Sequence, residues 1–259
     1  MELIRVKNDN YALYEEALLQ RERLRREAHN YEILYIKEFG DLLLGLFELE
    51  VACIRKKKKL SYYQRALNQS KKIRQDQVEA LLKQEMREYQ EKLDAMLEEN
   101  QAIKRMKEAS KEELEKIKII YRKLVKELHP DINPKTREIP ELQEMWNQIN
   151  IAYQGNCLEE LQEAELLVKQ ILERLDLGCL DIEIPNLETK IQMVWKEINK
   201  ILTTDPYQYR SLLKDPLAVA RKKEKLAEDK RALTRYKEEL DQTIEDMLKR
   251  GLQIIWQMK

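Results

Sequence analysis

The strongest constraint on the fold is a pair of helical stripes between residues 117 and 153, separated by a proline-bounded break. Ile117, Ile120, Tyr121, Leu124 and Leu128 recur at three- and four-residue steps, the spacing of one face of an amphipathic helix. Ser110 with Glu113 three residues on forms a capping-box pattern and marks the start. The opposite face carries Lys118, Arg122 and Lys126, which stack above one another on a helix, with Lys123 beside them. His129 continues that row. Pro130 then ends the helix, because proline lacks an amide donor and disfavours helical geometry in the residue before it. His129 and Asp131 are thereby placed at a forced helix exit, at the end of a basic ridge.

Asn133-Pro134 and Pro140 signal a turn and a new helix start. Leu142, Met145, Trp146, Ile149, Ala152 and Tyr153 then give a second stripe. A linker of about ten residues is a normal length for joining two helices. Two such helices bury their stripes against each other, so an antiparallel hairpin is the simplest expectation.

This segment resembles the J domain of DnaJ-type co-chaperones. The residues that carry the resemblance are Tyr121, Leu124, Arg122, Lys123, Lys126, His129-Pro130-Asp131 and Asn133-Pro134, followed by Ile149, Ala152 and Tyr153. Trp146 stands where the family usually has Phe. A lone His-Pro-Asp is weak evidence, but here both helical patterns frame it at matching offsets. The sequence departs from the family in three places. The usual first helix has no counterpart, and Leu97 to Met106 is the run expected to replace it. Ile132 sits where the family often has Lys. After Tyr153, Gly155-Asn156 reads as a helix stop rather than the usual fourth-helix signature. The resemblance implies docking of the basic residues, Lys118, Arg122, Lys123 and Lys126, on an acidic surface of a DnaK-type heat-shock-70 chaperone. It also implies that His129, Pro130 and Asp131 promote that partner's ATP hydrolysis, and that Asn133 is among the residues that bind it. The zinc-finger and Gly/Phe-rich regions of the larger DnaJ proteins are missing, since the chain has five Gly, two Phe and no Cys-x-x-Cys pair.

Composition extends the helical reading to the rest. The 259 residues are 37% charged and 43% hydrophobic with only six Pro, which points to an all-α chain of long helices. Lys+Arg and Asp+Glu both number 48, so no net charge draws the chain to nucleic acid or anionic lipid. Cys53, Cys157 and Cys179 are scattered, which fits a reducing, cytoplasmic setting and neither a disulfide framework nor a metal site. The residues at 1–10 do not read as a signal peptide, and the apolar run Leu42 to Ile54 is too short to span a bilayer. No phosphate loop, paired nucleophile and base, or ligand cluster suggests an enzyme or a cofactor.

Three segments are expected: an N-terminal helical region at 1–96, the J-like module at 97–157, and a C-terminal helical hairpin at 158–259. Asn8-Asp9-Asn10 caps a first helix, and Phe39-Gly40-Asp41 breaks it. His29 is read as structural. Leu42 to Leu49, apolar almost all round, is the expected core of the first region. Arg55-Lys56-Lys57-Lys58-Lys59 is read as a solvated face, because five consecutive residues on a helix point in different directions. A helix from Asp76 is expected to run to Met106 and feed the hairpin, followed by another at Leu158 to Leu175. Gly178 to Pro185 is the clearest boundary, and Asn186 caps the helix after it. The last helix, capped by Asp215-Pro216, repeats Val219, Leu226, Leu233, Leu240 and Met247 every seven residues. Its polar companion column (Lys222, Asp229, Tyr236, Thr243) argues for a narrow antiparallel coiled-coil-like seam with Leu187 to Leu202. A homodimer through the same arm is the alternative.

The leading reading is a J-domain co-chaperone whose flanking helices position the module or recruit a client. The alternative is an α-helical scaffold without chaperone activity. Nucleic-acid binding through 55–59 is a distant third.

Overall fold

The computed structural model describes residues 9–69, 71–105, 109–175, 186–249 and 254–255. The boundary expected at Gly178 to Pro185 lies outside them, as does the junction at 106–108 where a continuous helix was to feed the hairpin. The chain is all-α. In order, its elements are α1 (Asp9–Asn68), β1 (Ile73–Arg74), α2 (Gln75–Glu85), α3 (Arg87–Arg105), α4 (Lys111–Leu128), α5 (Lys135–Glu138), α6 (Pro140–Gln154), α7 (Leu158–Arg174), α8 (Leu187–Thr203), α9 (Tyr209–Leu213), α10 (Pro216–Lys249) and β2 (Ile254–Ile255). Among the described residues no helix is long and apolar enough to cross a membrane.

The chain divides into two compact units, one of residues 1–32 and 107–210, the other of 33–106 and 211–259. This grouping differs from three consecutive segments because α1, the longest helix, serves both units with different stretches of its length.

The first unit holds the hairpin. α4 and α6 bury the two expected stripes: Ile117, Tyr121, Leu124 and Leu128 on one, Leu142, Met145, Trp146, Ile149, Ala152 and Tyr153 on the other. α7 packs on both through Leu161, Ala164, Val168 and Ile171, and α8 adds Val194 and Ile198. The remaining wall comes from Tyr14, Ala17, Leu18 and Leu24 of α1. Of the run Leu97 to Met106, Leu97 is exposed and Ile103 buried on α3, which falls in the other unit, and Met106 lies outside the described residues.

In the second unit α1 runs unbroken through Phe39-Gly40-Asp41. A Cβ on Gly40 would lie 2.5 Å from Asn100 Oδ1 of α3, so the glycine admits a neighbour and does not end the helix. Asp41 is no cap either; it accepts hydrogen bonds from Asn100 (2.8 Å) and Lys104 (2.5 Å). The run at 42–49 is mostly half-buried, and the buried cluster consists of Tyr63, Ile73, Val78 and Leu82. The heptad column of α10 faces inward as expected, with Leu240 buried. Its partner is α1, and the two run parallel. Lys223 pairs with Glu38, Lys230 approaches Gly45 and Lys56 meets Asp241, all at the same offset of 185 residues. The expected partner, α8, lies in the first unit, where its apolar face joins that core. Of the polar companion column, Lys222 packs on aromatic rings of α1, its ammonium 4.9 Å from the Tyr35 ring and 5.6 Å from that of Phe39. β1 and β2 form a two-residue parallel ladder.

Four of the five cations at 55–59 are matched by acids. Arg55 and Lys59 pair with Glu79, Lys58 with Glu85 and Lys56 with Asp241. They join α1 to α2 and α10, which removes the main support for a nucleic-acid surface there.

Candidate functional site

The corner at His129 is built by the end of α4. The helix starts in the expected capping box: the Glu113 amide donates to Ser110 Oγ (3.2 Å), and the Ser110 amide to Glu113 Oε2 (2.7 Å). It ends at His129, whose ψ of 124° is the extended geometry that a following proline imposes. The loop then closes back on the helix. The Ile132 and Asn133 amides donate to the His129 carbonyl at 2.8 and 2.7 Å. Asn133 Nδ2 donates to the Glu127 carbonyl (2.8 Å), and its Oδ1 accepts from the Lys135 amide (3.1 Å). Asn133, expected among the residues that meet a partner, is thus buried and spends its side chain holding the turn. Ile132, where a lysine is usual in the family, is buried in the core. The linker to α6 is partly helical, as α5.

Aromatic rings fix the hairpin from inside. Tyr121 and Tyr153 stack at 3.5 Å between centroids, and the Tyr121 hydroxyl donates to Asn150 Oδ1 at 2.9 Å. Trp146 meets His129 edge-on at 5.0 Å. The large ring therefore backs the histidine. At the other end of α6, Gly155 is right-handed and Asn156 takes the left-handed stop conformation, with φ of 54°.

The cations of α4 lie on its outer face, and most have an acidic neighbour. Lys118 pairs with Glu115 (2.5 Å), Lys123 with Glu165 of α7 (2.7 Å) and Lys126 with Glu15 of α1 (3.0 Å). Arg122 is exposed. The structure thus brings Lys118, Arg122, Lys123 and Lys126 onto one helix that leads into His129, Pro130 and Asp131.

The corner itself is covered, which sequence reasoning missed. His129 is only 3% exposed. Arg21 Nη2 of α1 lies 3.2 Å from its Nε2, while the Asp131 amide donates to its Nδ1 at 3.1 Å. Burial, helped by Arg21, Arg137 and Arg25 and opposed by Asp131, pushes the imidazole down from its ordinary 6.5 to about 4. The ring is therefore neutral at pH 7. Asp131 pairs with Arg137 and lies close to the Tyr14 hydroxyl of α1. Burial first, then that carboxylate, push the Tyr14 phenol up to about 12. Arg21 is itself held by Glu22 (2.7 Å) and by Glu197 of α8 (3.2 Å).

Two helices braced by α7, with a cationic first helix ending in His-Pro-Asp, define a J-type module. Residues 102–159 match the family model described as the DnaJ domain, a span from the last turn of α3 through α4, α5 and α6 to the start of α7. The chain thus carries a DnaJ-type domain over this span, and DnaJ domains in general act as co-chaperones of heat-shock-70 chaperones. No curated protein and no solved structure gives a significant match to the chain.

Proposed function

We propose that this chain docks on a DnaK-type heat-shock-70 chaperone through the outer face of α4 and stimulates its ATP hydrolysis through His129-Pro130-Asp131. The observation that carries this reading is the corner itself: a proline-fixed turn, clamped by Asn133 and backed by Trp146, at the end of a cationic helix. Lys118, Arg122, Lys123 and Lys126 steer and register the encounter, so it is fast and weakened by salt. His129 and Asp131 then offer hydrogen-bonding groups to the partner. The protein hydrolyses nothing itself, works in the cytoplasm, and uses its remaining helices to position the module or hold a client. The test is single-turnover ATP hydrolysis by a purified DnaK-type chaperone. The chain raises the rate, and His129→Gln abolishes the gain while helicity is retained. Equal stimulation by His129→Gln would end this reading, and so would no stimulation even from the uncovered variants described below.

A second reading is favoured by one observation, the burial of His129 beneath α1. A scaffold whose J-like hairpin never meets a chaperone would tolerate that burial. The same assay separates the two, since a scaffold stimulates in no variant.

A further inference from the structure

Successive turns of α1 follow the hairpin's working face. Tyr14 lies beside Asp131, Glu15 pairs with Lys126, and Arg21 meets His129. Arg26 lies 4.5 Å over the outer side of the Tyr153 ring, which stacks on Tyr121. Ala17, Leu18 and Leu24 anchor the same stretch in the core. Glu15 places a carboxylate where an acidic partner surface would meet Lys126.

We propose that residues 11–31 of α1 form an autoinhibitory cover, which occupies the face His129 and Lys126 need for a chaperone and must lift before the module can act. This rests on the co-chaperone reading.

Tyr14, Ala17, Leu18 and Leu24 anchor this stretch as a wall of the core, but at the corner itself the contact is polar. A permanent wall would meet the corner with apolar side chains, since buried charges hold less well than packed hydrocarbon. Here Arg21, Glu22 and Arg26 are all buried, and Nε and Nη1 of Arg26 find no hydrogen-bond acceptor among the described residues. His129 is also over-supplied with donors. A neutral imidazole has one lone pair to give, yet the Asp131 amide faces one nitrogen and the Arg21 guanidinium the other. Only one of these can be a hydrogen bond at a time. With α1 in place, the Arg21 contact needs the proton on Nδ1. With α1 lifted, Nδ1 accepts from the Asp131 amide and Nε2–H turns outward as a donor for the partner. With the cover closed His129 therefore forgoes either the bond from Asp131 or one from Arg21, and its outward donor in both cases.

The test uses the full chain and reads two things. Glu15→Lys with Arg21→Glu sets like charges against Lys126 and Glu197, and leaves every residue of the corner intact. The first reading is modification of histidine by diethyl pyrocarbonate, scored by mass on the peptides of the two histidines. In the wild type His29, which is partly exposed, is modified and His129 is protected. In the double variant both are modified. The second is single-turnover ATP hydrolysis by a DnaK-type chaperone, in which the double variant exceeds the wild type by about tenfold or more. Adding His129→Gln removes that gain. If His129 in the wild type reacts as fast as His29, the cover is overturned, whatever the ATPase result. If the variant exposes His129 but stimulates no more than the wild type, autoinhibition is overturned and the co-chaperone reading stands. If His129 is exposed and neither protein stimulates, the co-chaperone reading fails and takes autoinhibition with it. Should circular dichroism show that the charge reversals unfold the chain, Tyr14→Phe with Glu15→Gln is scored by the same criteria. That pair removes polar contacts and keeps Ala17 and Leu18.

Discussion

His129 is the residue at which fold and function compete. Its imidazole is pushed down to about 4, by burial first and then by Arg21, Arg137 and Arg25, against the pull of Asp131. Between its ordinary 6.5 and that value, the unfolded chain takes up a proton that the folded ring refuses. Folding of the first unit therefore weakens as pH falls through this window, by at most about 3 kcal/mol, and no further once the folded ring also protonates. A heteronuclear NMR titration of the wild type should place the His129 midpoint near 4, and Glu15→Lys with Arg21→Glu should move it up towards 6.5. A midpoint near 6.5 in the wild type would contradict the burial. The sequence held a trace of this contact. Tyr14, Ala17, Leu18, Leu24 and Ala28 are buried at helical spacing, and Arg21 falls in the same series. A lone cation on an apolar stripe points to a specific polar neighbour. The stripe alone does not say which neighbour that is, because its target lies more than a hundred residues away in sequence.

At the scale of elements, local signals were legible and long-range ones were not. The capping box at Ser110, both hairpin stripes and the exit at Pro130 depend on residues within two turns of each other, and each lies where the spacing put it. Gly40 shows the opposite case. Beside Asp41 it read as a helix end, but its role is set by Asn100, sixty residues away in sequence. The heptad of α10 identified the buried column without naming α1 as the partner, because a stripe carries no address. Asn186 likewise read as a cap but is left-handed, and its side chain caps nothing in the helix that follows. Gly40 gives a prediction with an unusual sign. An interior Gly→Ala change ordinarily stabilises a helix by about 1 kcal/mol. Here the new methyl would lie 2.5 Å from Asn100 Oδ1 and displace the side chain that holds Asp41. Gly40→Ala alone should lower the urea midpoint of the second unit, and in an Asn100→Ala background it should raise it. An increase in both backgrounds would show that Asn100 yields freely.

The whole molecule joins two units of different physical character, and this governs how it should unfold. The first is held by one large apolar cluster running from Tyr14 to Ile198. The second has a small cluster around Tyr63, Ile73, Val78 and Leu82, and relies on pairs such as Arg55–Glu79, Lys58–Glu85 and Lys223–Glu38. Those pairs are partly exposed, individually weak and screened by salt, whereas buried apolar area is not. Equilibrium unfolding in urea should therefore depart from two-state behaviour, with the second unit melting first. Tryptophan supplies the probe, since Trp146 and Trp195 both belong to the first unit. In a Trp256→Phe chain, fluorescence then reports that unit alone, while far-ultraviolet circular dichroism reports both. The circular dichroism signal should begin to fall at lower urea than the fluorescence, and added sodium chloride should widen the gap by weakening the ion-paired unit. Coincident curves at every salt concentration would mean that α1, which runs through both units, makes them unfold as one. The cover over His129 could then open only with the whole fold. An early loss of the second unit with Trp146 still buried would instead leave the first unit free to open its α1 segment on its own, as a working switch requires.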